Sequence, residues 1–210
     1  MCTDSIRGEE EADFYLASGS PRRRELLRQL GYRFAVLSVD VDESAFAGEE
    51  AAAMVLRLAS DKAMAGARLL TEQRRLPVLG ADTVVVVGDK VLGKPLTCDE
   101  ALHMLGLLSG RTHHVFTGVA LAAAGQLKTV CSETRVTFRE LGRAEMQRYW
   151  ETGEPQDKAG GYALQGLGAI FVERVEGSCS GVVGLPLFET ARLLQDAGID
   201  GWQAQRPRNE

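Results

Sequence analysis

Leu16-Ala17-Ser18-Gly19-Ser20-Pro21-Arg22-Arg23-Arg24 decides how this chain reads. Phe14 to Ala17 is short and apolar, as a buried strand is. Ser20 then suits an N-cap, and Pro21 suits the first helical position, where a missing N–H costs nothing. Leu26, Leu27 and Leu30 recur at helical spacing before Gly31 supplies the stop. A strand, a glycine-containing turn and a helix start leave free N–H groups facing an anion. Cations in a first turn oppose the helix dipole by about 0.3–1 kcal/mol each. The segment becomes favourable when a phosphate or carboxylate meets the amides and guanidinium forks together; without one it is a solvated basic helix start.

Outward from this stretch, helices and strands alternate in an α/β pattern. Val55, Leu58, Ala59 and Ala63 place a helix over Glu49 to Leu70, with Glu49 and Glu50 in its first turn. Lys62 falls on the same apolar stripe, where it either snorkels to solvent or reaches an anionic ligand. Val78 to Val87 reads as a strand that turns at Gly88-Asp89 and returns over Lys90 to Leu92, until Gly93-Lys94-Pro95 breaks it. Thr97 and Glu100 form a capping box, with Leu96 and Ala101 as its hydrophobic staple, for a helix ending near Gly110. His114 to Ala123 and Lys128 to Phe138 predict a long hairpin around Gly125-Gln126, and a helix follows over Arg143 to Glu151. Asp157 to Gly168 carries four glycines and reads as a binding loop. Ala169 to Val175 reads as a strand. Pro186 to Ala197 reads as a closing helix with Leu187, Ala191 and Leu194 inward and Gly198 at its end.

With 210 residues and 45% hydrophobic content, the chain can bury a full core, as either one large α/β domain or two small lobes, with the folded part over about residues 14–201. The 24 basic and 29 acidic residues leave a net charge of −5, which argues against nucleic-acid or anionic-membrane partners but allows a small anion in a local basic cluster. Cys2, Cys98, Cys131 and Cys179 lack the spacing of a zinc site or disulfide framework, which points to reduced thiols and a cytoplasmic location. Residues 1–13 and 203–210 read as loose tails without secretory character. No apolar run reaches the roughly 18 residues of a membrane span.

Asp82 is the leading catalytic candidate, because a carboxylate buried in an apolar strand costs several kcal/mol unless a cation or hydrogen-bond donors compensate it. Its partner is either a lysine such as Lys94, or a divalent cation shared with Glu43 and completed by phosphate oxygens and water. Asp40 or Asp42 can stand in for Glu43. Arg22, Arg23, Lys62 and Lys94 come from separate segments, and their mixture of forked and point charges suits a polyphosphate. No GxxxxGK[ST] loop or dinucleotide fingerprint competes. His103 falls within a helix, and His113 and His114 point to opposite faces of a strand. Cys179 has no identifiable base beside it.

The segments Ala17 to Arg23, Gly80-Ala81-Asp82-Thr83 with Gly93-Lys94-Pro95, Asp157 to Tyr162 with Leu164-Gln165-Gly166, and Val183 to Leu187 together resemble the Maf family of nucleoside triphosphate pyrophosphatases. The resemblance implies an α/β fold similar to that of the inosine triphosphate pyrophosphatases: an elongated mixed sheet flanked by helices around a nucleotide cleft, usually in a homodimer. It implies cleavage between the α and β phosphates with a divalent cation, Mg2+ or Mn2+, and a catalytic acid/base where Asp82 stands; Glu43 and Asp82 are the metal ligands that the residues themselves suggest. Ser18, Arg22, Arg23, Lys62, Thr83, Lys94, Lys158 and Gln165 are the expected substrate-binding and specificity positions. Arg22, Thr83 and Gln165 look like the dTTP and UTP branch; the 7-methyl-GTP branch tends to carry an aromatic, glutamine and glutamate there. Gln165 presents both a donor and an acceptor, which fits the N3–H and O4 of thymine or uracil. A role in cell-division control is also associated with the family. The chain departs from the pattern at Gly181, where many relatives have asparagine.

Overall fold

The computed structural model describes residues 12–71 and 75–201. Most of both expected tails lies outside them, but Asp13 is held: its carboxylate accepts from Arg33 Nη2 at 2.7 Å and Nε at 3.1 Å.

The chain runs β1 (Phe14–Ala17), α1 (Pro21–Gln29), β2 (Phe34–Val36), α2 (Ala51–Leu69), β3 (Val78–Val87), β4 (Lys90–Leu92), α3 (Cys98–Leu108), β5 (Thr112–Ala123), β6 (Gln126–Phe138), α4 (Arg143–Glu151), β7 (Val172–Glu176), α5 (Cys179–Val183) and α6 (Leu187–Gln195). The strands form one mixed sheet in the order β2-β1-β3-β5-β6-β7, with β4 also paired to β3. β1 is parallel to β2 and β3, whereas β3, β5, β6 and β7 are antiparallel in succession. β1 pairs with β3 only as far as Ala17 and Gly80, so one edge of β3 runs past the end of β1 while the other stays paired to β5, and Asp82, opposite Gly118, lies on that overhang. An opening at the carboxyl end of a parallel strand is where ligands bind in α/β sheets.

Side chains alternate across β3 and set its two faces. Leu79 and Ala81 join Phe14, Leu16, Leu27, Leu121, Leu185 and Leu194 in one core. Gly80 and Asp82 face α2. A Cβ on Gly80 would lie 2.2 Å from the Ala59 carbonyl oxygen, and one on Gly118 of β5 would lie 2.3 Å from that of Val55. The helix therefore rests directly on the sheet backbone, padded by Ala59, Ala63 and Ala120. At the other end, Val85, Leu105, Leu108, Val136, Phe138 and Phe171 build a second core. Among the described residues no helix is long and apolar enough to cross a membrane.

Several local expectations change. The β5–β6 turn is Ala124-Gly125, both with positive φ, because that pairing of left-handed residues matches the twist of a two-residue hairpin. Thr97 caps α3 as expected, but the Glu100 carboxylate reaches the Leu96 amide and Leu96 is 83% exposed, so no staple forms. Ser20 makes no side-chain cap; its amide donates instead to Ser18 Oγ. Glu50 occupies the N-cap of α2, and Glu49, outside the helix, forks with Arg57. Residues Leu167–Phe171 form a 3-10 helix, and the strand begins only at Val172. The closing helix buries Leu193 beside Leu194.

Candidate active site

A cleft of about 590 Å3 opens past the end of β1. Its floor is β3, one wall is the Ser18-Gly19-Ser20 turn with α1, and the others come from α2, the Gly93-Lys94 segment and the glycine-rich stretch after α4. Ser18, Arg22, Arg23, Glu43, Lys62, Asp82, Thr83, Lys94, Lys158 and Gln165 all line it; Arg24 does not. Ten positions spread over more than 140 residues are thus brought to one cavity.

Asp82 is 8% exposed on the cleft floor. Its cation is Lys62 rather than Lys94: the ammonium donates to Asp82 Oδ1 at 2.7 Å and meets Glu43 Oε1 at 2.6 Å. The close seating of α2 on Gly80 makes this possible, since Lys62 adjoins Ala63 and Asp82 is two residues beyond Gly80 on the same face. Lys62 does not snorkel to solvent; it is 8% exposed and ends between two carboxylates. The hydrogen bond from Lys62 holds the Glu43 carboxyl below its ordinary range, against the opposing effect of burial. Glu43 and Asp82 together are a pair of hard oxygen donors of the kind Mg2+ accepts when substrate oxygens and water fill the remaining positions. No third His, Cys, Asp or Glu among the described residues completes a metal-binding group.

Arg23 is buried and fully oriented. Nε donates to the Gly184 carbonyl at 2.8 Å, Nη1 to Ser18 Oγ at 3.0 Å and Nη2 to Thr83 Oγ1 at 3.2 Å. Burial pulls its pKa down while the Asp82 charge opposes the fall. Thr83 Oγ1 lies 3.0 Å from Thr117 Oγ1, which donates to the Gly181 carbonyl at 2.8 Å. The Thr83 proton is therefore committed to Thr117, and the hydroxyl acts as a link from Arg23 to α5 rather than a free reader of a ligand. Gly181 fits this join: a Cβ there would sit 3.1 Å from Ser178 Cβ, and its amide is capped by Ser178 Oγ at 3.0 Å.

Arg22 forks onto a single residue, with Nη1 on Asp157 Oδ2 at 2.8 Å and Nη2 on the Asp157 carbonyl at 3.0 Å. Lys158 Nζ takes Asp157 Oδ1 at 2.5 Å and the Glu154 carbonyl at 2.6 Å. Burial raises the Asp157 pKa, but the bonds from Lys158 and Arg22 outweigh it and bring it down to about 2. Sequence reasoning put Asp157 at the start of the expected binding loop but not among the site residues, and the structure adds it to the cleft. With it, five cations face three carboxylates, a surplus of two positive charges. Lys94 and Gln165 are exposed at the rim.

The profile of the Maf family, described as Maf-like protein, matches residues 13–197. This chain belongs to the Maf family. Curated Maf relatives include the dTTP/UTP pyrophosphatase of Saccharophagus degradans, 55% identical over 96% of this chain and 96% of that one. That of Alkalilimnicola ehrlichii is also 55% identical, over 93% of this chain and 98% of its own. The structure of the Staphylococcus aureus Ham1 protein aligns with 60% of this Maf chain and 71% of that chain at a TM-score of 0.39 and 12% identity.

Proposed function

We propose that this protein hydrolyses dTTP and UTP between the α and β phosphates, releasing the nucleoside monophosphate and pyrophosphate. The observation that carries the reading is a buried carboxylate, Asp82, on the floor of a cleft with a cationic surplus, in a chain 55% identical to proteins named dTTP/UTP pyrophosphatase. The chain's own groups do three things. Arg23, already oriented by Ser18 and Gly184, presents its remaining N–H bonds to phosphate oxygens beside the Ser18-Gly19-Ser20 turn, with Lys94 and Lys158 at the rim. Asp82 orients or deprotonates a water for in-line attack, and Lys62 holds that carboxylate in place. Catalysis is then mainly positioning and charge stabilisation.

Glu43 and Asp82 would hold a divalent cation, Mg2+ or Mn2+, which when bound neutralises phosphate charge and polarises the phosphoryl oxygens. One ammonium shared by two carboxylates leaves a negative charge over for it. Gln165 at the rim reads the pyrimidine edge, and aliphatic side chains such as Leu164, Val182 and Val183 also line the cleft. We take the protein to act in the cytoplasm, supported by the unpaired Cys98, Cys131 and Cys179, and to act as a homodimer, which sedimentation checks. The purified protein incubated with each common and modified triphosphate, with and without each metal, tests the activity. Monophosphate and pyrophosphate from dTTP and UTP are expected. Diphosphate and inorganic phosphate, or preference for a purine triphosphate, would overturn the reading.

A further inference from the structure

Behind the wall that carries Gln165, three donors converge on one carboxylate. Glu154 Oε1 accepts from the Tyr149 hydroxyl at 2.7 Å and the Gly168 amide at 2.9 Å, and Oε2 accepts from the Leu167 amide at 2.9 Å. The Tyr149 hydroxyl in turn accepts from the Ala163 amide at 3.0 Å. Residues 163–168, which include Leu164 and Gln165, are therefore pinned at both ends to α4 and the turn that follows it. The approach is close: a Cβ on Gly166 would lie 2.2 Å from Glu154 Oε2, and one on Gly168 would lie 2.6 Å from the Tyr149 hydroxyl. Neither glycine has positive φ, so both are there for space, allowing amide and acceptor to meet. Neither Glu154 nor Tyr149 lines the cleft.

We propose that Glu154 and Tyr149 are positioning residues for base selection, fixing the 163–168 segment so that Gln165 meets the pyrimidine edge in one orientation. The inference rests on the pyrimidine triphosphate reading of the cleft. A side-chain amide rotates freely between donor and acceptor faces, so its selectivity depends on how firmly its backbone is held. A carboxylate suits that task because it accepts from every side, and hydrogen bonds to a charged acceptor are the stronger kind. Three donors and four lone-pair sites leave the cluster satisfied. Arg23 and Lys62 have no bond to this cluster, whereas Lys158 joins it by donating to the Glu154 backbone carbonyl at 2.6 Å, a contact that side-chain substitution at Glu154 or Tyr149 does not remove.

Glu154→Gln turns an acceptor oxygen into an NH2 group that must face an amide or hydroxyl donor, and Tyr149→Phe removes one donor and one acceptor. The readout is the ratio of kcat/KM for dTTP to that for dATP, together with the ratio of their Kd values in EDTA. In Glu154→Gln both ratios are expected to fall by about tenfold or more, and in Tyr149→Phe by about fivefold, while dATP values move less than about threefold. Unchanged ratios, or equal losses on both nucleotides, overturn the inference, since a purely structural role lowers Tm without touching discrimination. If Glu154→Gln lacks a cooperative unfolding transition, Tyr149→Phe decides. A wild-type protein that binds dTTP selectively without cleaving it sinks the hydrolysis reading, and the Kd ratios then decide the inference.

Discussion

Lys62 carries one positive charge between Glu43 and Asp82, and this sharing determines how each acid behaves. Replacing Asp82 by Asn keeps the shape and leaves Lys62 paired to Glu43, so the fold and much of the nucleotide affinity should survive. Turnover should fall by about 10^2–10^4-fold, as when a general base is lost. Pyrophosphate release against Kd measures the two separately, and near-normal release removes Asp82 from the mechanism. Gln165→Glu belongs to the same scale: a carboxylate cannot donate to O4, so the preference for dTTP over dGTP should fall by about tenfold. A substrate panel reads it, and an unchanged preference means that another group reads the base. The Lys62 contact was not legible in the sequence, because helical periodicity places a lysine on a face but does not say what the sheet presents opposite it.

The seating of α2 on β3 and β5 belongs to the scale of elements. Two glycines on the sheet and two alanines on the helix bring backbone against backbone, and Lys62 reaches Asp82 because nothing holds the layers apart. Gly80→Ala should therefore cost about 1–3 kcal/mol or more through overpacking, and should also lower turnover by moving the ammonium from the acid. Chemical denaturation and steady-state assays check the two effects; a full-stability variant with normal kcat means that the helix is not so seated. Most elements were legible from periodicity and turn residues: β1 with α1, β3 with its short return strand, and α4 all stand where the pattern puts them. Ala169 to Phe171 misled because an apolar run of strand-like composition is coiled into a 3-10 helix by the Glu154 carboxylate capping its first amides, a contact across 13 and 14 residues. β2 and α5, of three and five residues, are too short to show a period.

His113 governs a property of the molecule as a whole. Its ring is fully buried on β5, 2.9 Å from the Tyr162 hydroxyl through Nε2 and packed edge-on against Phe138, and its Nδ1 has no hydrogen-bond partner among the described residues. Burial, reinforced by the neighbouring His114, pulls its pKa down from 6.5 to about 4. A histidine with a depressed pKa binds its proton more readily when unfolded, so its contribution to stability is complete above about 6.5 and lost as pH falls towards 4. The loss is on the order of 3 kcal/mol. Thermal unfolding across this window should show a falling Tm that flattens in His113→Gln; parallel curves would place the acid sensitivity elsewhere. The convergence of ten expected positions on one cleft was legible in order along the chain but not in space: the parallel pairing of β1 with β3 gathers those from Ser18 to Thr83, and the segments after β4 and after α4 add Lys94, Lys158 and Gln165.

The anchor at Glu154 stands apart from the acid at Asp82, one fastened to a turn and the other to the central sheet. Letter choice and bond breaking thus hang from different elements, joined where Lys158 meets the Glu154 carbonyl. Redesign towards an unnatural nucleobase can begin with the short tethered span, provided that the Lys158 contact is kept.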